Sequence, residues 1–292
     1  MANLEEEPAG PGHWSKDRLH ADVQRAVGGS FNLVREFCRL SFEIDSATSV
    51  DWMIRRTQFF GFELRTLITE EADDREKLEI LNDFFFDSKR FRCIEDLTTA
   101  RSPLNSTHFG RALVDRTGSP VLIAALYRYL AEQIGLTLEV VDFRPSRFLR
   151  WNEAGRARFV DITKKGAVLS CDELIDCLHE KFNAREASAH SVLEVSPFEM
   201  VISDYIGDLK TAIKPGEEFG KLLFLQNALV SYQPSNVALL ADRAVLHRRL
   251  GQFKNALSDL KRYFTFFDKS KCSKELNDLH DDLVRITSRV QL

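Results

Sequence analysis

The chain has 292 residues, 44% of them hydrophobic and 29% charged. That length exceeds the roughly 100–200 residues of one ordinary domain, and the composition carries enough apolar surface for real cores, which excludes global disorder. A net charge of −4 lacks the basic footprint of a nucleic-acid binder, and no apolar run approaches the ~20 residues of a membrane-spanning helix, so neither nucleic acid nor membrane insertion is expected.

Residues 1–16 read as a flexible tail. Met1 to Gly12 is acidic and rich in Pro and Gly, without the basic and apolar regions of a signal peptide, so no export is expected. From Asp17 to Leu67 the pattern is helical, with Phe31, Val34, Leu40 and Phe42 in one stretch and Met53, Phe60, Leu64 and Leu67 in the next. Arg75–Phe86 places Leu78, Leu81, Phe84 and Phe85 on one face at helical spacing, which predicts a core-facing helix. Turn formers then dominate from Arg101 to Pro120, around a short helical stretch at Phe109–Asp115. Val121 to Tyr127 is almost wholly apolar, so the helix it opens must be buried all round, and Gly135 is placed to end it in a left-handed turn.

Beyond Gly135 the period changes to two, the signature of strands. Leu136, Leu138 and Val140 alternate, Phe148 to Trp151 is extended, and Arg156 to Ile162 alternates again across a turn at Asn152-Glu153-Ala154-Gly155, predicting an antiparallel hairpin. After the turn Lys164-Lys165-Gly166, Ser170 and Glu173 form a capping box for a helix reaching about Phe182. Residues 184–196 read as a linker between a domain at 17–183 and a helical module at 197–292.

In that module Ala244, Leu250-Gly251, Ala256, Leu260 and Tyr263 match the tetratricopeptide (TPR) pattern, whose small residues let two helices approach closely. Pro234 lies about 34 residues before Asp268, the period of that repeat, and the stretch before it is a degenerate repeat interrupted at Pro215-Gly216. Leu276 to Val290 supplies the capping helix a solenoid end requires.

This order of elements resembles the SirB-type transglutaminase-like family of bacterial proteins, over roughly Phe42 to the C-terminus. The resemblance rests on LNDFFF at Leu81–Phe86 followed by Phe91, RTGSP at Arg116–Pro120, PSRFL at Pro145–Leu149, FVDIT at Phe159–Thr163, LSCDEL at Leu169–Leu174, and the run Asp242–Phe264. It implies an α+β, papain-like transglutaminase fold with a helical N-terminal part and a small antiparallel sheet, followed by an all-α TPR-like module.

In active transglutaminase-like enzymes a Cys at the start of the buried helix attacks an amide carbonyl, with a His on the adjoining strand as base and an Asp on the next strand orienting it. Here the helix mouth reads Ser119-Pro120, and Arg147 stands where the family pattern has the His. A guanidinium is no base near neutral pH. Asp161 alone keeps its identity. Ser119, Pro120, Arg147 and Asp161 therefore read as a relict site, in which Arg147 is expected to pair with Asp161. Substitute arrangements, Ser119 with His108 or Cys93 with His108, are weighed against a helix-capping serine and a buried thiol, and the capping and packing roles are favoured.

The five cysteines (Cys38, Cys93, Cys171, Cys177, Cys272) are an odd, scattered set that suits reduced thiols in a cytoplasmic protein. Cys171, Cys177 and His179 share a helix at spacings that do not converge on one face, so no metal is expected, and no cofactor is implied. On the module, Asp242, Val245, Arg248 and Arg249 are expected to line a concave groove kept open by Ala241. Its two arginines suit an acidic peptide or a C-terminal carboxylate. The expected function is therefore a catalytically inactive protein-interaction or scaffold module that binds a protein or peptide partner through its TPR-like tail and the relict cleft. The alternative is a divergent amide-bond hydrolase or acyltransferase using a substitute nucleophile.

Overall fold

A computed structural model describes residues 29–97, 102–143, 146–182, 194–213, 216 and 218–289. The tail read at 1–16 and most of the linker lie outside the described residues. Helices α1 (Ser30–Ile44) and α2 (Val50–Arg65) precede α3 (Asp74–Asn82), which continues as a π-helical turn over Asp83–Ser88. Strand β1 (Arg92–Cys93), helices α4 (Pro103–Thr107) and α5 (Phe109–Asp115) and strand β2 (Thr117–Gly118) lead into α6 (Pro120–Gln133). Strands β3 (Glu139–Phe143), β4 (Ser146–Glu153), β5 (Arg156–Asp161) and β6 (Ala167–Leu169) follow. Among the described residues, six α-helices follow: α7 (Cys171–Phe182), α8 (Phe198–Ala212), α9 (Phe219–Tyr232), α10 (Ala238–Arg249), α11 (Phe253–Tyr263) and α12 (Lys274–Arg289).

The buried helix predicted from Val121 onward is α6, with every residue from Pro120 to Tyr127 buried. It ends at Gly135 in the left-handed conformation (φ 79°), and the Leu136 N–H closes the turn on the Ala131 carbonyl at 3.0 Å. Around α6 pack α1 and α2, whose buried residues are Leu33, Val34, Phe37 and Leu40 in one and Met53, Phe60 and Leu64 in the other. Phe31 and Phe42 of the same helical pattern are 37% exposed, because the α1 face that meets α6 is centred on Leu33 and Phe37. Leu67 is exposed as well, lying beyond the end of α2. The π-helical turn admits an extra residue per turn and lets Phe84, Phe85 and Phe86 all enter the core.

The sheet is antiparallel throughout, in the order β3-β4-β5-β6. The predicted hairpin joins β4 to β5, with Ala154 (φ 49°) and Gly155 (φ 84°) both left-handed, as a tight two-residue turn requires. Strand alternation sends Val140, Leu149, Trp151 and Val160 toward α6. Val141, Phe148 and Phe159 point to the other face, where Leu174 and Leu178 of α7 cover them. Ser170 and Glu173 cap α7 reciprocally, the Ser170 N–H donating to Glu173 Oε2 at 2.7 Å and the Glu173 N–H to Ser170 Oγ at 3.3 Å.

The main core does not stop at the segment read as a linker. Val201, Ile202, Tyr205, Ile206 and Leu209 of α8, with Leu225, Ala228 and Leu229 of α9, belong to the same apolar cluster as α6. Tyr205 stacks on Phe37 at 3.8 Å between ring centroids, and its hydroxyl donates to the Thr107 carbonyl at 2.9 Å. A separate small cluster of Ala244, Ala256, Leu260 and Leu283 holds α10, α11 and α12 together.

Candidate functional site

Two short strands position the mouth of α6. β1 pairs in parallel with β2, the Arg92 N–H donating to the Arg116 carbonyl at 2.8 Å and the Ile94 N–H to the Gly118 carbonyl at 2.9 Å. The Ser119 N–H then donates to the Ser106 carbonyl at 2.7 Å, and Pro120 opens the helix at a position whose missing N–H costs nothing. The Ser119 hydroxyl is fully buried, makes no capping bond and has no hydrogen-bond partner among the described residues. The capping role expected of it is therefore not observed.

Arg147 and Asp161 are brought to neighbouring strands but not to each other. Asp161 lies directly across from Phe148 and shares its face, whereas Arg147, one residue earlier, belongs to the opposite face of the pleat. The expected ion pair is thus excluded by register. Arg147 Nη2 instead donates to Asp204 Oδ2 of α8 at 2.7 Å, with the two side chains 6% and 7% exposed. Asp161 Oδ1 accepts from the Thr163 N–H at 2.9 Å and from its hydroxyl at 2.6 Å, holding the turn after β5, while Oδ2 is buried without a partner among the described residues.

The β1–β2 pairing sets Cys93 beside Gly118, at the helix mouth. Burial pushes its thiol well up, and the negative charges of Glu95, Asp161 and Asp208 push in the same direction, so it stays protonated near neutral pH. His108 caps α5. Its Nδ1 accepts from the Arg111 N–H at 3.3 Å, and its Nε2 lies 2.9 Å from the Asp45 carbonyl and must donate to it. Both ring nitrogens are committed away from Ser119 and Cys93, and burial lowers the imidazole pKa below its ordinary value. Among the described residues no group of three or more His, Cys, Asp or Glu side chains could hold a metal, Cys171, Cys177 and His179 included.

On the helical module, Asp242, Val245 and Arg249 are exposed and Arg248 is half-buried. With Ala241 they share an arc of ~120° at helical spacing, flanking the buried stripe of Leu240, Ala244 and His247. Arg249 lies over the Phe219 ring at 6.0 Å, and the Asp242 charge acts on Lys210 of α8, which places this arc on the side of the preceding helices. Beneath it Arg243 grips Asp259 with both ends of its guanidinium, at 2.7 and 2.6 Å, tying α10 to α11.

A sequence profile described as "Transglutaminase-like superfamily" matches residues 54–202, from within α2 to the first turns of α8. The chain belongs to the transglutaminase-like superfamily. Ser119, Arg147 and Asp161 all lie inside the matched segment, and Asp204 lies just past its end. The chain is 22% identical over 169 residues to a UPF0162 protein of Xylella fastidiosa (strain Temecula1 / ATCC 700964), covering 56% of this chain and 59% of that relative. It thus spans about three fifths of the length of the curated relative it matches. A crystal structure of menin, described as revealing the binding site for Mixed Lineage Leukemia (MLL) protein, aligns over 85% of this chain and 69% of that one with 7% identity and a TM-score of 0.38. No helix among the described residues is long and apolar enough to cross a membrane.

Sequence reasoning missed two neighbours of Ser119, Arg147 and Asp161: Asp204, just past the matched segment, and the place of Cys93 at the helix mouth, since Cys93 was weighed only with His108. Asp204 had no signal, because its role depends on α8 folding back onto the sheet. Cys93 reaches the helix mouth through a two-residue parallel pairing too short to leave a pattern.

Proposed function

We propose that this transglutaminase-like protein acts by recognition rather than turnover, as a catalytically inactive scaffold of the SirB type working in the cytoplasm. The observation that carries the reading is the Arg147–Asp204 pair. The position where family enzymes carry the base holds a guanidinium neutralised by a buried carboxylate at 2.7 Å. Around it, the Ser119 hydroxyl has no base in reach, and the Cys93 thiol is held in its protonated form. Recognition is then assigned to the helical module. Tight apposition of α10 and α11 at Ala244 and Ala256 supports a TPR-like repeat, with α12 as its cap. Its groove, lined by Asp242, Val245, Arg248 and Arg249, suits an acidic peptide.

The test compares the native chain with an Arg248→Ala, Arg249→Ala double variant in pull-downs from the native organism. Each substitution should change stability by no more than ~0.5 kcal/mol, whereas an arginine anchor at a binding site is worth ~2 kcal/mol or more in affinity. Loss of a partner at equal folded yield supports the reading, and retention moves the binding site off this groove. Stoichiometric alkylation of Cys93, coupled to loss of turnover of a glutamine or peptide substrate, would overturn the inactive assignment.

A further inference from the structure

Where α2 faces the turn between α5 and β2, three cations converge on an aromatic floor. Arg56 and Arg116 both set a guanidinium against the Phe60 ring, with Cζ 4.7 and 4.6 Å from its centroid, and Arg116 also lies 5.1 Å from Phe91. Lys89 brings Nζ to 5.8 Å from Phe60 and 4.9 Å from Phe84. Phe60, Phe84 and Phe91 are buried, and the three cations are half-buried at the rim. Arg116 is fixed by its backbone, since it ends α5 in the left-handed conformation (φ 59°) and its carbonyl is tied to β1.

These charges are undercompensated. Glu63 is the one carboxylate that answers them among the described residues, with Oε1 2.8 Å from Lys89 Nζ. No carboxylate of the described residues comes within ion-pair range of Arg56 or Arg116, and Arg116 Nη1 and Glu63 Oε2 are both buried with no hydrogen-bond partner among the described residues. Burial depresses the Arg116 guanidinium, and the Arg56 charge beside it depresses it further, against the pull of Glu63. Ring faces attract cations, but they accept no guanidinium hydrogen bond in the plane of the fork and do not remove the repulsion between two like charges.

We propose that Arg56, Arg116 and Lys89 form a binding site for a phosphate-type dianion. Three cations against one carboxylate leave a local charge of about two, which a dianion neutralises. Two guanidinium forks and an ammonium supply the donors a tetrahedral oxyanion accepts. The buried phenyl floor keeps water from one side and strengthens the attraction. Phe59, 48% exposed and 5.6 Å from the Arg56 guanidinium, offers apolar surface to whatever carries the phosphate.

Calorimetric titration of the full chain with inorganic phosphate, and its thermal unfolding in phosphate against chloride at equal ionic strength and pH 7.5, test this site. Saturable phosphate binding with a matching rise in melting temperature is expected, and Arg56→Gln and Arg116→Gln should each weaken it at least about tenfold. Without phosphate, Arg56→Gln should melt no lower than the native chain, because it relieves a like-charge contact. Phenyl phosphate binding more tightly than phosphate assigns the anion to a larger ligand, and equal binding assigns it to free phosphate. A rise that does not saturate and is shared by the variants is a general salt effect and overturns the site, as does an unchanged phosphate affinity in Arg56→Gln. Should Arg116→Gln fail to fold, Arg56→Gln and Lys89→Gln, both at the rim, decide the matter alone.

Discussion

Arg147 of β4 and Asp204 of α8, 57 residues apart in sequence, form a buried ion pair that fastens this helix to the sheet. Removing one partner leaves the other charge in a poorly solvated place. Asp204→Asn should therefore cost about 3 kcal/mol, read as a lower urea midpoint at unchanged slope. Replacing both residues by apolar ones, Arg147→Met with Asp204→Leu, should recover most of that loss. Additive losses in the double variant would show that the two side chains are not energetically coupled.

Ser119 gives a test whose sign separates two roles. A capping serine changed to alanine loses about 1 kcal/mol, but a buried hydroxyl with no partner already carries a desolvation penalty of about 1–3 kcal/mol. Ser119→Ala should accordingly leave stability unchanged or raise it in denaturant unfolding. A loss of 1 kcal/mol or more would mean the hydroxyl has a partner, a bound water included.

His108 makes stability depend on pH near neutrality. Its buried, neutral ring has a pKa below the ordinary ~6.5, so the unfolded chain takes up the proton more readily. Stability from this group is complete above pH ~6.5 and falls as the pH drops through that value toward the folded pKa. Asp45, whose carboxyl is held low chiefly by its hydrogen bond from Arg111, adds a loss only once the pH falls below its ordinary ~3.9. His108→Asn keeps a capping acceptor for the Arg111 N–H and cannot titrate. Its unfolding free energy should show a shallower slope between pH 5 and 6.5 than that of the native chain, and equal slopes would place the titration elsewhere.

What the sequence disclosed was mostly periodic. The apolar run after Pro120, the alternation from Leu136 to Ile162, the turn at Ala154-Gly155 and the Ser170–Glu173 cap each leave a local pattern, because each is decided by neighbours within a few residues. The partners of Ser119, Arg147 and Asp161 are decided across the chain and left none. Asp161 shares the strand face of Phe159, but whether it could pair with Arg147 depended on the β4–β5 register, and a shift of one residue turns a side chain to the other face. The apolar stripe of α8 was visible as a helix, but nothing local distinguishes a stripe that completes the first core from one that begins a second. The basic rim at Arg56, Lys89 and Arg116 escaped notice for the same reason, since its members come from three separate elements.

Strand β3 lies at one edge of the sheet, and residues 195–196 lie against it. Val195 bridges Val141, and the Ser196 N–H donates to the Val140 carbonyl at 2.8 Å. Backbone groups that an incoming peptide would need in order to join the sheet as an extra strand are here already spoken for. An extended ligand cannot be zipped onto this edge main chain to main chain unless residues 195–196 are first peeled away. Discrimination among ligands there would fall to side chains, so a partner should be sensitive to residue identity rather than merely to being extended.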